Sequence, residues 1–442
     1  MPQVIGIRRE DKSEWEKRAP LTPRHVTMLE KQGIRVMVQP SPIRVFSNQD
    51  YEKAGAAVQE DLSSCDAILA IKEVPVSYLV PHMTYAFFAH VIKGQPYNMP
   101  KLQAILDKGC TLVDYEKIMD GQGRRLIFFG RFAGLAGMID TLWALGRKLK
   151  EDSGIDNPFT AIQPTHRYKN LEDAKRSVSK VAEKIRKGGI PAGLAPLVIG
   201  VAGYGNVSQG AQEILSLLPV EEIAPKKLLE SDLPPSRDRI YKVVFKEEDT
   251  VEPRNPSGRF ELKDYYANPE RYRGVFERYL DRLTVLVNAI YWEERYPRLV
   301  TLESLAKLYA SVPSPRLKAI GDLSCDIHGA VECTVKATQP DNPVYVFEPN
   351  AGKERDGVCG AGPVLLAVDN LPCELPEDAS ELFGDALLGF VPALVKCGES
   401  PSFEGAGLPP ELVRAAIVWH GKLRPDYAYL QTHLSRLKGG HP

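Results

Sequence analysis

Nothing in the sequence approaches the roughly 20 consecutive apolar residues of a membrane span. The most apolar stretch, 190–201, is interrupted by Pro191, Gly193, Pro196 and Gly200. An excess of charge of one sign is also missing: 56 basic side chains face 57 acidic ones, for a formal net charge of −1. That balance excludes counterion-release binding to nucleic acid and polybasic anchoring to a membrane surface. The seven cysteines are odd in number, widely spaced and without a CxxC pair, so neither a disulfide framework nor a metal site is indicated. The first twenty residues have neither the apolar core of an export signal nor the acid-poor, Arg/Ser-rich start of an organelle presequence. The expected compartment is the cytoplasm, or the mitochondrial matrix if a presequence has been removed. With 43% hydrophobic and 26% charged residues over 442 positions, disorder is excluded and two or three domains are expected.

Short apolar runs at 4–8, 35–39, 67–72, 85–90 and 111–115 read as strands, with helical patterns at 23–31 and 99–108 among them. This alternation predicts βαβ units on a parallel sheet. A long helix is expected from about 132 to 150 and a charged one over 171–186, followed by a buried strand at 196–201. From 225 to about 282 the composition shifts to Lys, Glu, Pro and Tyr, which reads as an insertion. Strands resume at 283–290, 317–324 and 344–347, and an acidic helix lies near 376–388. The fold class is therefore α/β: two Rossmann-like, doubly wound parallel-sheet domains with an active-site cleft between them. The domains are placed at 1–131, for substrate and catalysis, and 132–390, for a dinucleotide, with about 390–442 able to return to the first.

The segment IGVAGYGNVSQGA sets Gly203 and Gly205 at a strand-to-helix junction. Glycines there let a pyrophosphate approach the backbone, and the helix start at Asn206 and Val207 offers unpaired N–H groups. The spacing is GxGxxxxG, with Gly210 two residues later than in the usual fingerprint. An acid about 20 residues on would accept the ribose hydroxyls. That position falls near Ala224, followed by Lys226 and Lys227, which favours the 2′-phosphate of NADPH over NAD; Glu221 or Glu222 acting as the acid is the alternative. In the first third, Lys72 with Glu73, and His90 with Lys93, end consecutive strands, and Arg124 and Arg125 lie on a later turn. Functional groups of open α/β sheets gather at such strand ends. Several cations there suit a substrate bearing several carboxylates, and lower a lysine pKa toward the range useful for proton transfer.

The motifs RREDKSEWEKRAPLTP, AIKEVP, YAFFAHVIKGQ, DYEKIMD, GRRLIFFG, GDLSCD and AVDNLP occur in an order that resembles the lysine-forming saccharopine dehydrogenases, in particular the lysine–2-oxoglutarate reductase half of bifunctional aminoadipic semialdehyde synthase. The likeness runs from Val4 to about Gln431, with a more distant one to alanine dehydrogenase and transhydrogenase. It implies that Lys72 and His90 are the acid–base pair. It also implies that Arg18 and Arg125, or Arg124 in place of the latter, hold substrate carboxylates. Lys93, Glu73 and Glu116 match charged neighbours of the pair, Gly203 and Gly205 the dinucleotide loop, and Asp322 the nicotinamide end. The implied reaction joins L-lysine and 2-oxoglutarate to saccharopine with NADPH, through a carbinolamine and an imine. A partner or fused saccharopine-oxidising domain is implied with it. The rivals are an NAD(H)-dependent saccharopine dehydrogenase, an alanine-dehydrogenase-like amino acid oxidoreductase, and a silent NADPH-binding regulatory protein. The arginines Arg18 and Arg125 count against the alanine-dehydrogenase-like enzyme, and the presence of both Lys72 and His90 against the silent binder.

Overall fold

In the computed structural model, which describes residues 3–230, 232–312, 314–400 and 402–438, the chain forms two compact units. Unit 1 runs to Phe129 and resumes at Pro376; unit 2 is Gly130–Leu375. Unit 1 begins with β1 (Val4–Ile7), β2 (Arg35–Val38), β3 (Ala57–Val58), β4 (Ala67–Leu69), β5 (Thr84–Phe87) and β6 (Thr111–Asp114). These pair in parallel in the order β6-β5-β4-β1-β2-β3. Every residue of β4, β5 and β6 is buried, as continuous apolar runs in a parallel sheet require. The chain leaves β1 for β2 and β3 on one side, then restarts at β4 on the other. The adjacent strands β1 and β4 therefore form a switch point, where connections diverge and open a crevice at the carboxyl ends.

Unit 2 repeats the plan with β7 (Val198–Ala202), β8 (Val220–Glu222), β9 (Ile240–Phe245), a hairpin of β10 (Val251–Pro253) and β11 (Tyr272–Gly274), then β12 (Val285–Asn288), β13 (Ala319–Asp322), β14 (Val344–Glu348), β15 (Lys353–Asp356) and β16 (Val364–Leu366). The main sheet runs β15-β14-β16-β13-β12-β7-β9-β8, with only β14 reversed, so that its pairings with β15 and β16 are antiparallel, and its switch point lies between β7 and β12. The chain then returns to unit 1, where β17 (Ala416–Trp419) and β18 (Lys422–Leu423) extend the sheet antiparallel beyond β6. Among the described residues no helix is long and apolar enough to cross a membrane.

Two elements depart from the sequence expectation. The segment 225–282 was expected to leave the sheet, yet β9 within it is a central strand, paired with β7 on one side and β8 on the other. Its run IYKVVF follows a Pro-, Ser- and Arg-rich stretch that hides it, while Ile240, Val243 and Phe245 are fully buried. The excursions are therefore two shorter ones, 225–239 and 246–282. The helix Pro376–Leu388, assigned above to the dinucleotide domain, belongs to unit 1. Its Phe383 and Leu387 enter that unit's core, and its Ser380 hydroxyl accepts the Ala19 N–H at 2.9 Å.

Two glycines govern how the helix Asn206–Leu215 packs on the helix Gly130–Arg147. A Cβ on Gly210 would strike the Arg131 carbonyl, and one on Gly134 the Val207 carbonyl. The late third glycine of the loop motif is thus a helix–helix contact. Gly210→Ala is expected to destabilise unit 2 by about 1–3 kcal/mol, because backbone cannot yield as a side-chain tip can. Urea denaturation checks this, and an unchanged midpoint contradicts it.

Candidate active site

The switch point of unit 1 collects the charges the sequence placed at strand ends. Lys72 follows β4 and His90 follows β5, and the Phe88 amide bonds the Ile71 carbonyl at 3.1 Å, so the two ends lie side by side. Lys12 reaches Glu73 at 2.8 Å, and Lys101 approaches the other Glu73 oxygen at 4.0 Å. Lys101 also donates to the Asn98 side-chain carbonyl at 3.2 Å, and the Asn98 amide donates to the His90 carbonyl at 2.7 Å. His90 Nδ1 lies 3.7 Å from Glu116, which Arg125 meets at 3.4 Å. One network therefore runs from Lys12 through Glu73, Lys101 and Asn98 to His90, Glu116 and Arg125.

His90 takes a φ of 54°, in the left-handed region that costs a side chain of this size of order 1–3 kcal/mol. The Asn98 bond and the Phe88 ring, stacked at 6.2 Å, hold it there.

Arg18 is buried and forked onto Glu16 by two hydrogen bonds of 2.7 and 2.6 Å. Its guanidinium lies 4.1 Å from the centre of the Phe129 ring, which stacks on Phe383 at 4.7 Å. Its resident carboxylate partner is thus a protein side chain. Burial lowers the Lys72 pKa first, and the Arg18 charge lowers it further, while Glu16 and Glu73 oppose. Burial by itself would raise Glu73, but the Lys12 bond and the Lys101 charge hold it below its ordinary value. Glu116 is lowered by His90, then by Arg125 and Lys93. Burial pushes two further carboxyls, Glu10 and Asp114, up to about 7. Lys93 is exposed, as is Arg124, which turns away to pair with Asp120 at 2.7 Å. Arg125 is the member of that arginine pair that joins the network.

Sequence reasoning missed Lys12, Lys101, Asn98 and Glu16, and it set Glu10 and Asp114 at strand ends without giving them a role. Lys12 and Glu16 lie within the quoted opening motif. Asn98 and Lys101 sit on a helix start whose approach to β5 no local pattern reveals.

In unit 2, Gly203 has a φ of 99° and its Cβ position faces the Ala289 carbonyl. Gly205 differs: a Cβ there would meet nothing within 4 Å. The chain's own packing does not require that glycine, whereas a phosphate seated on the helix start does. A cavity of about 360 Å³ adjoins the loop, walled by Tyr204, Phe245, Lys246, Ile290 and Trp292 at the ends of β7, β9 and β12. Glu247 accepts hydrogen bonds there from Tyr266 at 2.5 Å and from Tyr204 at 3.4 Å. These residues fit a dinucleotide.

The ribose-reading position requires a correction. β8, the strand that ends just before Ala224, is the sheet edge, and β9 lies between it and β7. Lys226 is exposed and paired with Glu230 at 3.1 Å, and Lys227 shares its short helix Pro225–Glu230. Glu221 and Glu222 are engaged by Arg239 and Lys242. The strand end next to β7 carries Lys246 and Glu247 instead. Asp322 is 1% exposed and fully enlisted by the protein: it accepts from Asn288 at 2.8 Å, Thr334 at 2.5 Å and the Cys325 amide at 3.3 Å. Among the described residues no cluster of metal-ligating side chains occurs.

Residues 6–136 match the family of alanine dehydrogenase/PNT N-terminal domains. Alpha-aminoadipic semialdehyde synthase of Arabidopsis thaliana is 40% identical over 445 residues, which cover 97% of this chain and 41% of that protein. The mitochondrial enzyme of the same name from Bos taurus is 36% identical over 441 residues, covering 97% and 47%. The chain thus spans less than half the length of these relatives. Saccharopine dehydrogenase [NAD(+), L-lysine-forming] of Neurospora crassa is 28% identical over 398 residues, covering 88% and 90%. Among solved structures, an L-alanine dehydrogenase has a TM-score of 0.61 at 18% identity, covering 98% of this chain and all of that one, which establishes the shared fold. Residues 6–136 thus match the alanine dehydrogenase/PNT N-terminal domain, and nearly the whole chain is similar to part of the α-aminoadipic semialdehyde synthases and, more distantly, to a lysine-forming saccharopine dehydrogenase.

Proposed function

We propose that the protein condenses L-lysine with 2-oxoglutarate and reduces the product to saccharopine, with NADPH as the reductant. The observation that carries this reading is the network at the carboxyl ends of β4 and β5. It gathers Lys12, Lys101 and Arg125 with His90, and Lys72 at the end of β4 lies within the electrostatic reach of Lys12 and Glu73, a cation-rich site for a substrate pair bearing three carboxylates. The ε-amine of L-lysine, once deprotonated, adds to the keto carbon. Water leaves from the carbinolamine, and a reduced nicotinamide, held by the glycine loop of unit 2, would supply the hydride that the imine carbon requires.

Lys72, depressed by burial and by Arg18, suits removal of the substrate ammonium proton. His90, fixed by Asn98, suits donation to the departing hydroxyl. Arg125 is the anchor proposed for a substrate carboxylate, while Arg18 acts through the charge it adds beside Lys72. Lys93, Glu73 and Glu116 set the field around the pair. Gly203, Gly205, Asn206 and Val207 hold the pyrophosphate. Lys246 is the proposed contact for the 2′-phosphate, being exposed at the end of β9 and without an ion pair among the described residues. Asp322 orders the ends of β12 and β13 behind that site.

A second reading, NADH, is favoured by Glu247 beside Lys246 and by the NAD(+) in the name of the Neurospora crassa relative. The absence of a disulfide among the described cysteines suits a reduced compartment, the cytoplasm or the mitochondrial matrix. A saccharopine-oxidising domain, fused or separate, is the proposed partner.

Oxidation of the reduced nucleotide is expected only with both L-lysine and 2-oxoglutarate present, and faster with NADPH. Lys246→Ala is expected to raise the KM for NADPH about 10-fold, the worth of one charge-assisted bond, and to leave that for NADH unchanged. The reverse selectivity would replace the NADPH reading with NADH, and no oxidation under any pairing would refute the reaction.

Lys72→Met is expected to lower kcat by about 10²–10⁴ while the unfolding midpoint holds. The sign of the pH effect follows from the depressed pKa. Lys72 is a base only when neutral, so kcat/KM rises with pH through a value below the ordinary ~10.4 of lysine, and Lys72→Met loses that acidic limb. A limb that survives the substitution assigns it to another group.

A further inference from the structure

Two buried carboxylates stand behind the acid–base residues of unit 1, and neither forms an ion pair among the described residues. Glu10, 6% exposed, accepts the Ile71 N–H at 2.6 Å with one oxygen and the Lys72 N–H at 3.0 Å with the other. Asp114, fully buried, accepts the Glu116 N–H at 2.9 Å, and the Ala89 amide also faces it. A carboxylate buried without a cation is costly, so its presence calls for bonds that nothing smaller or neutral supplies. Both acids spend those bonds on backbone just past a strand end, where the ladder has stopped and the next amides lack partners.

We propose that Glu10 and Asp114 are positioning residues for the acid–base pair. Glu10 fixes the backbone from which Lys72 projects, and Asp114 fixes that of His90 and Glu116. Nothing in the comparisons or in the sequence motifs assigns either residue a role. The two acids act in the same way from neighbouring directions: Glu10 follows β1 and reaches the end of β4, while Asp114 ends β6 and reaches the end of β5.

The bond lengths give the device its meaning. A side chain on a loop wanders with its Cα, and a misplacement of about 1 Å at a reacting group costs up to about 100-fold in rate. Two charge-assisted bonds to consecutive amides pin the peptide between Ile71 and Lys72. On the other side, the left-handed turn at His90 persists only if several contacts over-determine it. The Asn98 bond to its carbonyl and the Asp114 environment of the preceding amide are two such contacts. Glutamine in place of Glu10 keeps the shape but turns an NH₂ donor toward an N–H donor, and asparagine in place of Asp114 removes the charge from the group that accepts the Glu116 N–H.

This inference rests on the roles proposed for Lys72 and His90, so it is tested with one readout that needs turnover and one that does not. In the intact chain, Glu10→Gln is expected to lower kcat about 10-fold with each KM changed less than about 2-fold. In a Lys72→Met background it is expected to cost nothing further, because its effect passes through Lys72. Asp114→Asn is expected to show the same dependence on His90→Gln. Unchanged kcat, or equal losses in both backgrounds, overturns the proposal. Independently of any substrate, the pH dependence of acetic anhydride labelling at Lys72 is followed by mass spectrometry, with the exposed Lys226 as reference. Glu10→Gln is expected to move the Lys72 profile toward that of Lys226, and an unmoved profile overturns the proposal even in a protein that does not oxidise NADPH. Should Glu10→Gln fail to fold, Glu10→Asp keeps the charge one methylene short. It is expected to shift the profile in the same direction by less, and an unmoved profile again overturns the proposal.

Discussion

The bidentate bond between Glu16 and Arg18 is the constraint on which the chemistry of unit 1 depends. Both side chains are almost wholly buried, with the guanidinium lying against Phe129 and Phe129 against Phe383. Removing one member of such a pair typically costs 3–5 kcal/mol, because the other is left buried and unpaired. What the pair supplies is a guanidinium held in one place beside Lys72: burial is the larger cause of the lowered Lys72 pKa, Arg18 adds to it, and Glu16 partly offsets it. A lysine with the same burial but a solvated neighbour would keep more of its proton. The stack also explains why the chain returns from unit 2. The helix Pro376–Leu388 supplies Phe383, and its Ser380 hydroxyl receives the Ala19 amide, so the loop carrying Arg18 is closed by residues more than 350 positions away.

Both units use the same topological device for different work. In each, the chain reverses direction across the sheet, between β1 and β4 or between β7 and β12, and a crevice opens where the connections part. Unit 1 fills its crevice with charges held by one another. Unit 2 leaves Gly205 bare and surrounds the adjoining cavity with aromatic rings. The 246–282 excursion adds Tyr265 and Tyr266 to that wall, and Tyr266 meets Glu247 beside the loop. An insertion that looked peripheral in composition thus shapes the edge of the nucleotide site.

Much of this architecture is legible in the sequence, because strands β1, β2, β4, β5, β6, β7, β12 and β13 are apolar runs bounded by turns, and the residues at their ends carry charge. Lys72, His90 and the glycine loop follow from that alone. β9 was hidden because its neighbours are polar and its own run carries Lys242, and with it went the identity of the strand that borders β7. Counting residues from the glycine loop therefore led to Lys226 and Lys227 on an edge helix rather than to Lys246 and Glu247. Glu10, Glu16 and Asp114 were invisible as partners, since a buried acid and a solvated one look alike until the fold shows which amide or guanidinium it meets.

The central claim is that one C–N bond is made between two substrates and then reduced. The most direct measurement is mass spectrometry of the product formed from L-lysine labelled with ¹⁵N at the ε-amine, 2-oxoglutarate and NADPH. The account requires a single product that keeps the label in a secondary amine and has the mass of both substrates less water plus two hydrogens. Label recovered as free ammonium or as glutamate would mean that the enzyme exchanges amino groups instead of joining carbon skeletons, and would contradict the account.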